Sequence, residues 1–103
     1  MPLEPLWRHV LGRKLRMLRL GQNQKLAETA GRAGISPQYL SEIERGLKEP
    51  SSEMIAAVAG ALGITLLDLT VELASDFRDI AAATASSGTT NLFASENTLS
   101  LAA

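Results

Sequence analysis

The hydrophobic positions of the chain recur every three or four residues, which is the repeat of an α-helix with one buried face. Five segments carry this repeat, over about residues 6–20, 26–33, 37–45, 52–62 and 66–83. No segment shows the alternation of β-branched and polar residues, bounded by hairpin turns, that is typical of strands. We therefore expect an all-α protein with five helices.

Turn and capping residues separate the predicted helices. Between the second and third, Gly34 suits a tight turn with positive φ, Ser36 is a good N-cap and Pro37 favours the first helical position. Before the fifth, Thr65 and Asp68 have the spacing of a capping box. These residues predict where the third and fifth helices begin.

The fifth helix is predicted to be long. Its apolar stripe consists of Leu66, Leu69, Leu73, Phe77 and Ile80. The first two members are expected to complete the core of a compact domain, whereas the later ones extend past it. From Thr84 the chain becomes rich in Ser, Thr, Ala and Gly and loses its periodicity, so residues 84–103 are predicted to form a disordered tail.

The formal net charge of −1 conceals an uneven distribution of charge. Residues 1–50 contain nine Lys or Arg and five Asp or Glu, whereas residues 51–103 contain one and six. Such asymmetry is typical of chains in which one part meets an anion and the other has a different task. Simple balancing of charge for solubility is the alternative interpretation.

The composition excludes several kinds of chemistry. The chain has no Cys and a single His, so disulfides, thiolate zinc clusters, thiol nucleophiles and multi-histidine metal sites are excluded. No apolar run is long enough to span a membrane, and Glu4, Arg8 and His9 interrupt the segment where a signal peptide would be apolar. We expect a cytoplasmic protein with no membrane partner, cofactor or metal.

Residues 26–46 predict two short helices joined by a turn too short to lay them antiparallel, so the helices must cross steeply. Leu40 and Ile43 are expected to point inward. The outward face of the third helix then consists of Pro37, Gln38, Ser41, Glu42 and Arg45. Amide, hydroxyl, carboxylate and guanidinium groups read base edges in a major groove, although an ordinary solvated helix presents the same groups.

Four segments occur in a fixed order and spacing: LGRKLRMLR at 11–19, LAETAGRAGIS at 26–36, YLSEIERG at 39–46, and residues 50–64. They resemble the phage Cro/C1-repressor type of helix-turn-helix domain, the XRE family of transcriptional regulators. The resemblance covers about residues 6–72 and implies a five-helix, lambda-repressor-like DNA-binding domain. Residues 44–53 (ERGLKEPSSE) are also similar to actinobacterial regulators that activate Clp-protease genes.

The resemblance implies a role for each matching position. The positions that contact bases in the family fall on Pro37, Gln38, Ser41 and Glu42. The positions that contact phosphates fall on Lys25, Ser36, Arg45 and Lys48. A structural ion pair of the family would join Arg19 to Glu44. The partner is therefore expected to be a double-stranded DNA operator, bound without a small-molecule ligand.

Two positions depart from the pattern of the family. Lys25 stands where the second helix usually has a Thr cap, which indicates either capping by Asn23 or by water, or a lysine kept at this position for a phosphate. Thr29 stands where a Leu is usual, which is expected to loosen the contact between the first two helices.

One recognition helix reads only a few base pairs, so useful affinity requires a dimer that reads two half-sites of a palindromic operator. The later members of the stripe on the fifth helix, Leu73, Phe77 and Ile80, are the predicted dimerisation surface, over a helix extension at residues 73–83. The acidic residues beside this stripe are consistent with a face turned away from DNA.

The chain ends in Leu101, Ala102 and Ala103. This end is similar to the peptide tag that bacteria append to stalled translation products and that Clp proteases recognise. It predicts a degron that makes the regulator itself a substrate of a Clp protease or unfoldase, unless a low-complexity tail ends in these residues by chance.

The sequence therefore predicts a homodimeric transcription regulator that activates protein quality-control genes. An antitoxin or phage-type repressor is one alternative, and a helix-turn-helix module that binds protein instead of DNA is another. An enzyme is not expected, because His9 has no nucleophile or carboxylate partner near it in the sequence.

Overall fold

The computed structural model describes the backbone of residues 3–85 and the side chains of residues 7–83. It contains five helices: α1 (Leu3–Gly21), α2 (Leu26–Ala33), α3 (Pro37–Glu44), α4 (Ser52–Ala61) and α5 (Leu66–Ala85). The described residues include no strand, so the all-α fold with five helices is confirmed. Of the predicted tail, Thr84 and Ala85 belong to α5, and residues 86–103 lie outside the described part.

The chain divides into two compact units, residues 1–73 and 74–103. The core of the first unit draws on all five helices. It is formed by Val10, Leu11, Leu15, Ala30, Leu40, Ile43, Val58, Ala59, Leu62, Leu69 and Leu73. Of the second unit, the structure describes the last turns of α5.

The helix ends form as the capping residues predict. Gly34 has a φ of 75°, and its N–H donates to the carbonyls of Ala30 and Gly31. The Ser36 hydroxyl oxygen accepts the Tyr39 N–H at 3.0 Å. These two residues end α2 and begin α3, and so they create the short turn of the helix-turn-helix.

The capping box before α5 is also present. The Thr65 N–H donates to the Asp68 carboxylate at 3.3 Å, and the Asp68 N–H donates to the Thr65 hydroxyl at 2.9 Å. Two of the N–H groups at this helix end are therefore satisfied by side chains of the same turn.

A glycine allows α1 and α3 to approach closely. A Cβ on Gly12 would touch the backbone carbonyl of Ile43 and would lie 2.7 Å from that of Glu44. Only a residue without a side chain fits between these backbones. Gly12 therefore sets how near the last turn of α3 lies to α1.

Among the described residues, no single helix is long and apolar enough to cross a membrane. The α4 and α5 segments reach the required length and apolar character only when taken together, and a bend of 101° separates them.

Candidate nucleic-acid interface

Helix α3 has one buried face and one open face. Leu40 and Ile43 are 0% and 1% exposed and hold the helix against the core. Pro37 and Gln38 are exposed. Ser41 and Glu42, one turn further on, are half-buried. The structure thus brings the four predicted base-contacting residues to the open face.

The polar groups on this face are not engaged elsewhere in the described part of the chain. Across residues 7–83, no hydrogen bond or ion pair holds the side chains of Gln38, Ser41 or Glu42. An amide, a hydroxyl and a carboxylate therefore remain able to bond with another molecule. Between them they offer both donors and acceptors, as the edges of base pairs require.

The four predicted phosphate-contacting residues, Lys25, Ser36, Arg45 and Lys48, are all exposed. Lys25 and Ser36 are the N-caps of α2 and α3, and Arg45 follows directly on α3. N–H groups and the positive end of the helix dipole favour anions at such N-termini. The Ser36 oxygen accepts the Tyr39 N–H, so its own O–H stays available to donate.

The start of α2 is capped differently from the expectation. The Glu28 carboxylate accepts the Lys25 N–H at 2.8 Å, so the carboxylate of the first turn performs the capping. The Lys25 ammonium cannot accept a hydrogen bond and is left at the surface. The expectation that Asn23 caps this helix is wrong, because Asn23 lies in the preceding turn with a φ of 57° and α2 has no side-chain N-cap bond.

The predicted ion pair of Arg19 with Glu44 is present and joins α1 to α3. Arg19 Nε is 2.7 Å from Glu44 Oε2 and Arg19 Nη2 is 2.9 Å from Glu44 Oε1, so the two planar groups meet through two bonds. Both side chains are at least nine-tenths buried. Hydrogen bonding to Glu44 raises the pKa of Arg19 above its ordinary value, against an opposing effect of burial. The pair connects the end of α1 to the last residue of α3.

A family model described as Helix-turn-helix matches residues 13–69. The chain belongs to the helix-turn-helix family. The matched segment includes most of α1, all of α2, α3 and α4, and the start of α5.

The relatives of this helix-turn-helix chain include named regulators. The transcriptional regulator ClgR of Mycobacterium tuberculosis is 49% identical over 61 residues, which are 59% of this chain and 54% of the relative. The HTH-type transcriptional regulator DdrOP3 of Deinococcus deserti is 45% identical over 56 residues, 54% of this chain and 43% of the relative. The chain thus spans about half the length of the curated relatives that it matches.

A solved structure covers more of the chain. The crystal structure of the clp gene regulator ClgR from Corynebacterium glutamicum is similar with a TM-score of 0.71 and 41% identity. The match covers 84% of this chain and 88% of that one. The resemblance to Cro/C1-type regulators, and within them to actinobacterial regulators of Clp-protease genes, is confirmed. The expectation that the chain is not an enzyme agrees with this family of DNA-binding regulators.

Thr29, the second departure from the pattern of the family, has a hydrogen-bond partner that the sequence did not predict. Thr29 is fully buried, and its hydroxyl donates to Gln24 Oε1 at 2.7 Å. Arg19 Nη1 donates to the Gln24 backbone carbonyl at 2.9 Å. The Thr29 hydroxyl thus bonds to the loop before α2 and not to α1. The expected looser contact between α1 and α2 stays a prediction.

Sequence reasoning also missed that the start of α1 lies beside the loop after α3. Arg8 Nη1 is 3.5 Å from Glu49 Oε1, although 41 positions separate the two residues. The His9 ring lies against Gly46, so closely that a Cβ on Gly46 would be 2.5 Å from His9 Cδ2. No local pattern in the sequence predicts a contact between residues so far apart along the chain.

The predicted dimerisation residues differ in their surroundings. Leu73 is only 3% exposed and belongs to the core of the first unit, so it is not available as a surface contact for a second chain. Phe77 and Ile80 are half-buried. Two other large apolar residues of α5, Leu67 and Val71, are 71% and 60% exposed. The predicted degron at residues 101–103 lies outside the described residues.

Proposed function

We propose that this protein is a cytoplasmic, sequence-specific transcription regulator that binds a palindromic operator as a dimer and activates Clp-protease genes. The observation that carries the proposal is the open face of α3, where Gln38, Ser41 and Glu42 have no partner within the described residues. The similarity to two ClgR proteins favours Clp genes as its targets.

The chemistry of each side chain indicates how it reads DNA. The Gln38 amide can form two bonds with the N6 and N7 atoms of adenine, and the Glu42 carboxylate can accept from N4 of cytosine. The Pro37 ring suits apolar contact with a thymine methyl, and Ser41 can donate or accept. Lys25, Ser36, Arg45 and Lys48 contact phosphates and fix the register of the helix in the groove.

The purified protein tests this proposal directly. Genomic fragments of the host that it retains are sequenced, and its affinity for the selected site is compared with its affinity for a scrambled duplex. We expect a selected site with two-fold symmetry and an affinity at least about a thousandfold higher than for scrambled DNA. Equal affinity for the two duplexes would reject sequence-specific recognition.

The dimer in this proposal places two recognition helices on half-sites about 10 bp apart, or a multiple of that distance. Phe77 and Ile80, on α5, are the proposed contacts. Sedimentation of a Phe77→Ser, Ile80→Ser variant should give a monomer that remains helical by circular dichroism. A Leu67→Ser, Val71→Ser variant changes another face of the same helix and serves as the control. If only the Leu67→Ser, Val71→Ser variant were monomeric, the dimer interface would lie on the face of α5 that carries Leu67 and Val71.

Activation of Clp-protease genes is tested in the host. Deletion of the gene should lower the level of Clp-protease transcripts, and expression of a Gln38→Ala variant should not restore it. A rise of these transcripts on deletion would make the protein a repressor.

The last three residues, Leu101, Ala102 and Ala103, are proposed as a degron for a Clp protease. Regulation would then follow from competition, because a protease occupied by damaged proteins spares its own activator. Two aspartates appended after Ala103 should lengthen the half-life of the protein in the cell. An unchanged half-life would remove the degron from the proposal.

A phage-type repressor or antitoxin is the second candidate. The similarity to the immunity repressor protein of Bacillus phage phi105, 37% identical over 54 residues that are 52% of this chain and 38% of the relative, favours it. A toxin gene or a prophage beside the gene would support this candidate. A third candidate is a module that binds protein, and only the acidic second part of the chain favours it. An affinity for DNA that does not change with salt concentration would support this third candidate.

A further inference from the structure

A chain of hydrogen bonds connects α4 to the recognition helix α3. Gln22 Nε2 donates to the carbonyl of Leu62, the C-cap of α4, at 2.6 Å. Gln24 Nε2 donates to Gln22 Oε1 at 2.8 Å, and the Thr29 hydroxyl donates to Gln24 Oε1 at 2.7 Å. The Gln24 carbonyl accepts from Arg19 Nη1, and Arg19 holds Glu44.

Gln24 is the residue on which this network converges. Its side-chain oxygen, side-chain nitrogen and backbone carbonyl bind three different residues, on α2, in the loop before α2 and on α1. Thr29 is fully buried, so its hydroxyl has no access to water and depends on the Gln24 oxygen. Loss of the Gln24 side chain would therefore leave the buried Thr29 hydroxyl without its acceptor.

The position of Arg19 depends on this network. Its guanidinium uses Nε and Nη2 for Glu44 and Nη1 for the Gln24 carbonyl. If the Gln24 backbone shifts, Arg19 must either lose its third bond or move with it. A movement of Arg19 would be transmitted to Glu44, which ends α3 and lies two residues after Glu42.

We propose that Thr29 and Gln24 are positioning residues for DNA recognition, which act by fixing Arg19 and, through Glu44, the angle at which α3 presents Gln38 and Glu42. This inference rests on the proposed function. Neither residue touches DNA in it. Their effect is on the fidelity of reading, that is, on the ratio of affinities for selected and scrambled duplexes.

The test removes one hydroxyl without changing the volume of the side chain. Thr29→Val should lower the ratio of affinities for the selected site and the scrambled duplex by about three- to tenfold, the range for loss of one hydrogen bond. Thr29→Ser keeps the hydroxyl donor, so its ratio of affinities should equal that of the unmodified chain. Thr70→Val is the matched control, since Thr70 is exposed and its hydroxyl donates only to the Leu66 carbonyl of its own helix.

Amide hydrogen exchange of α3 provides a readout that needs no DNA. Exchange at residues 40–44 should accelerate by a similar factor in Thr29→Val and stay unchanged in Thr29→Ser and Thr70→Val. Both measurements are made at a temperature where circular dichroism gives full helix content for every variant, so partial unfolding does not contribute.

The outcomes separate this inference from the proposed function. If the unmodified chain binds its selected site specifically, an unchanged affinity ratio in Thr29→Val overturns the inference. If the unmodified chain does not discriminate between duplexes, the proposed function fails, and amide exchange at α3 then tests the positioning role alone. Faster exchange in Thr29→Val supports a role of Thr29 in positioning α3. Unchanged exchange overturns that role.

Discussion

Glu44 and Glu72 each pair with a basic residue of α1, yet the two pairs lie in different surroundings. The Arg19–Glu44 pair has side-chain exposures of 10% and 5%, whereas the Lys14–Glu72 pair has 13% and 44%. Water already stabilises a carboxylate as exposed as that of Glu72, so its partner adds little. The Glu44 carboxylate has lost most of its water and depends on the guanidinium.

Glu44→Gln should therefore lower the free energy of unfolding by about 3–5 kcal/mol, because it leaves the Arg19 charge buried without its counter-ion. Glu72→Gln makes the same chemical change in the pair whose carboxylate is half-exposed and should cost at most about 1 kcal/mol. Urea unfolding followed by circular dichroism measures both values. Equal losses in the two variants would contradict the assignment of Arg19–Glu44 as the structural pair.

Also at the scale of single residues, Gln38→Ala should cost about 1–3 kcal/mol of binding free energy at the selected site and relax the preference at one base pair. The reason is the loss of a bidentate contact to one base. Titration against a panel of duplexes with single substitutions measures the change. If the variant lost equal affinity for selected and scrambled DNA, Gln38 would be a backbone contact instead.

The placement of helix α3 depends on features of its neighbours as much as on its own sequence. Its N-terminus is fixed locally by Ser36, whose oxygen accepts the Tyr39 N–H. Its C-terminus is fixed by α1, because Gly12 admits the carbonyls of Ile43 and Glu44 to close contact. An 8-residue helix has little stability of its own, so packing decides its orientation.

Gly12→Ala should lower the free energy of unfolding by about 1–3 kcal/mol, since its Cβ would overlap two backbone carbonyls that cannot rotate away. Gly31→Ala, in α2, is the matched control. A Cβ at that position meets nothing within 4 Å, so alanine should stabilise the helix by up to about 1 kcal/mol. Opposite signs in thermal unfolding are the expected result, and a neutral Gly12→Ala would contradict the close crossing.

At the scale of the whole molecule, the basic and acidic residues are concentrated in different parts of the chain. Nine of the ten basic residues lie in residues 1–50, and these include Lys25, Arg45 and Lys48 at the proposed phosphate contacts. The second part has a single basic residue, Arg78, and six acidic ones. Phosphates of DNA would therefore meet the first part, and net charge alone would not have indicated this partner.

The salt dependence of DNA binding should follow this division. Lys48→Ala should weaken binding to selected and scrambled duplexes nearly equally and lower the slope of log K against log[salt] by about 1, because one phosphate contact is lost. Arg78→Ala removes the same charge from the acidic part and should leave the slope unchanged. Fluorescence anisotropy at several salt concentrations measures both, and equal slopes for the two variants would reject Lys48 as a phosphate contact.

The sequence by itself determined the helices of this protein and the direction in which α3 faces. Gly34, Ser36 and Pro37 specify the turn and the start of α3 through local backbone preferences, and the spacing of Leu40 and Ile43 selects its inward face. These signals act over three or four residues, so they can be read from the chain alone. The ion pair of Arg19 with Glu44 came from a family resemblance and not from any local pattern.

Only the tertiary structure decided which distant residues meet. It placed Gly12 against the end of α3, brought His9 against Gly46 and buried Leu73 in the core. Helical periodicity gives the direction of a side chain but not the neighbour that covers it. Contacts between residues far apart depend on how whole helices pack, and for this reason they could not be predicted from local patterns in the sequence.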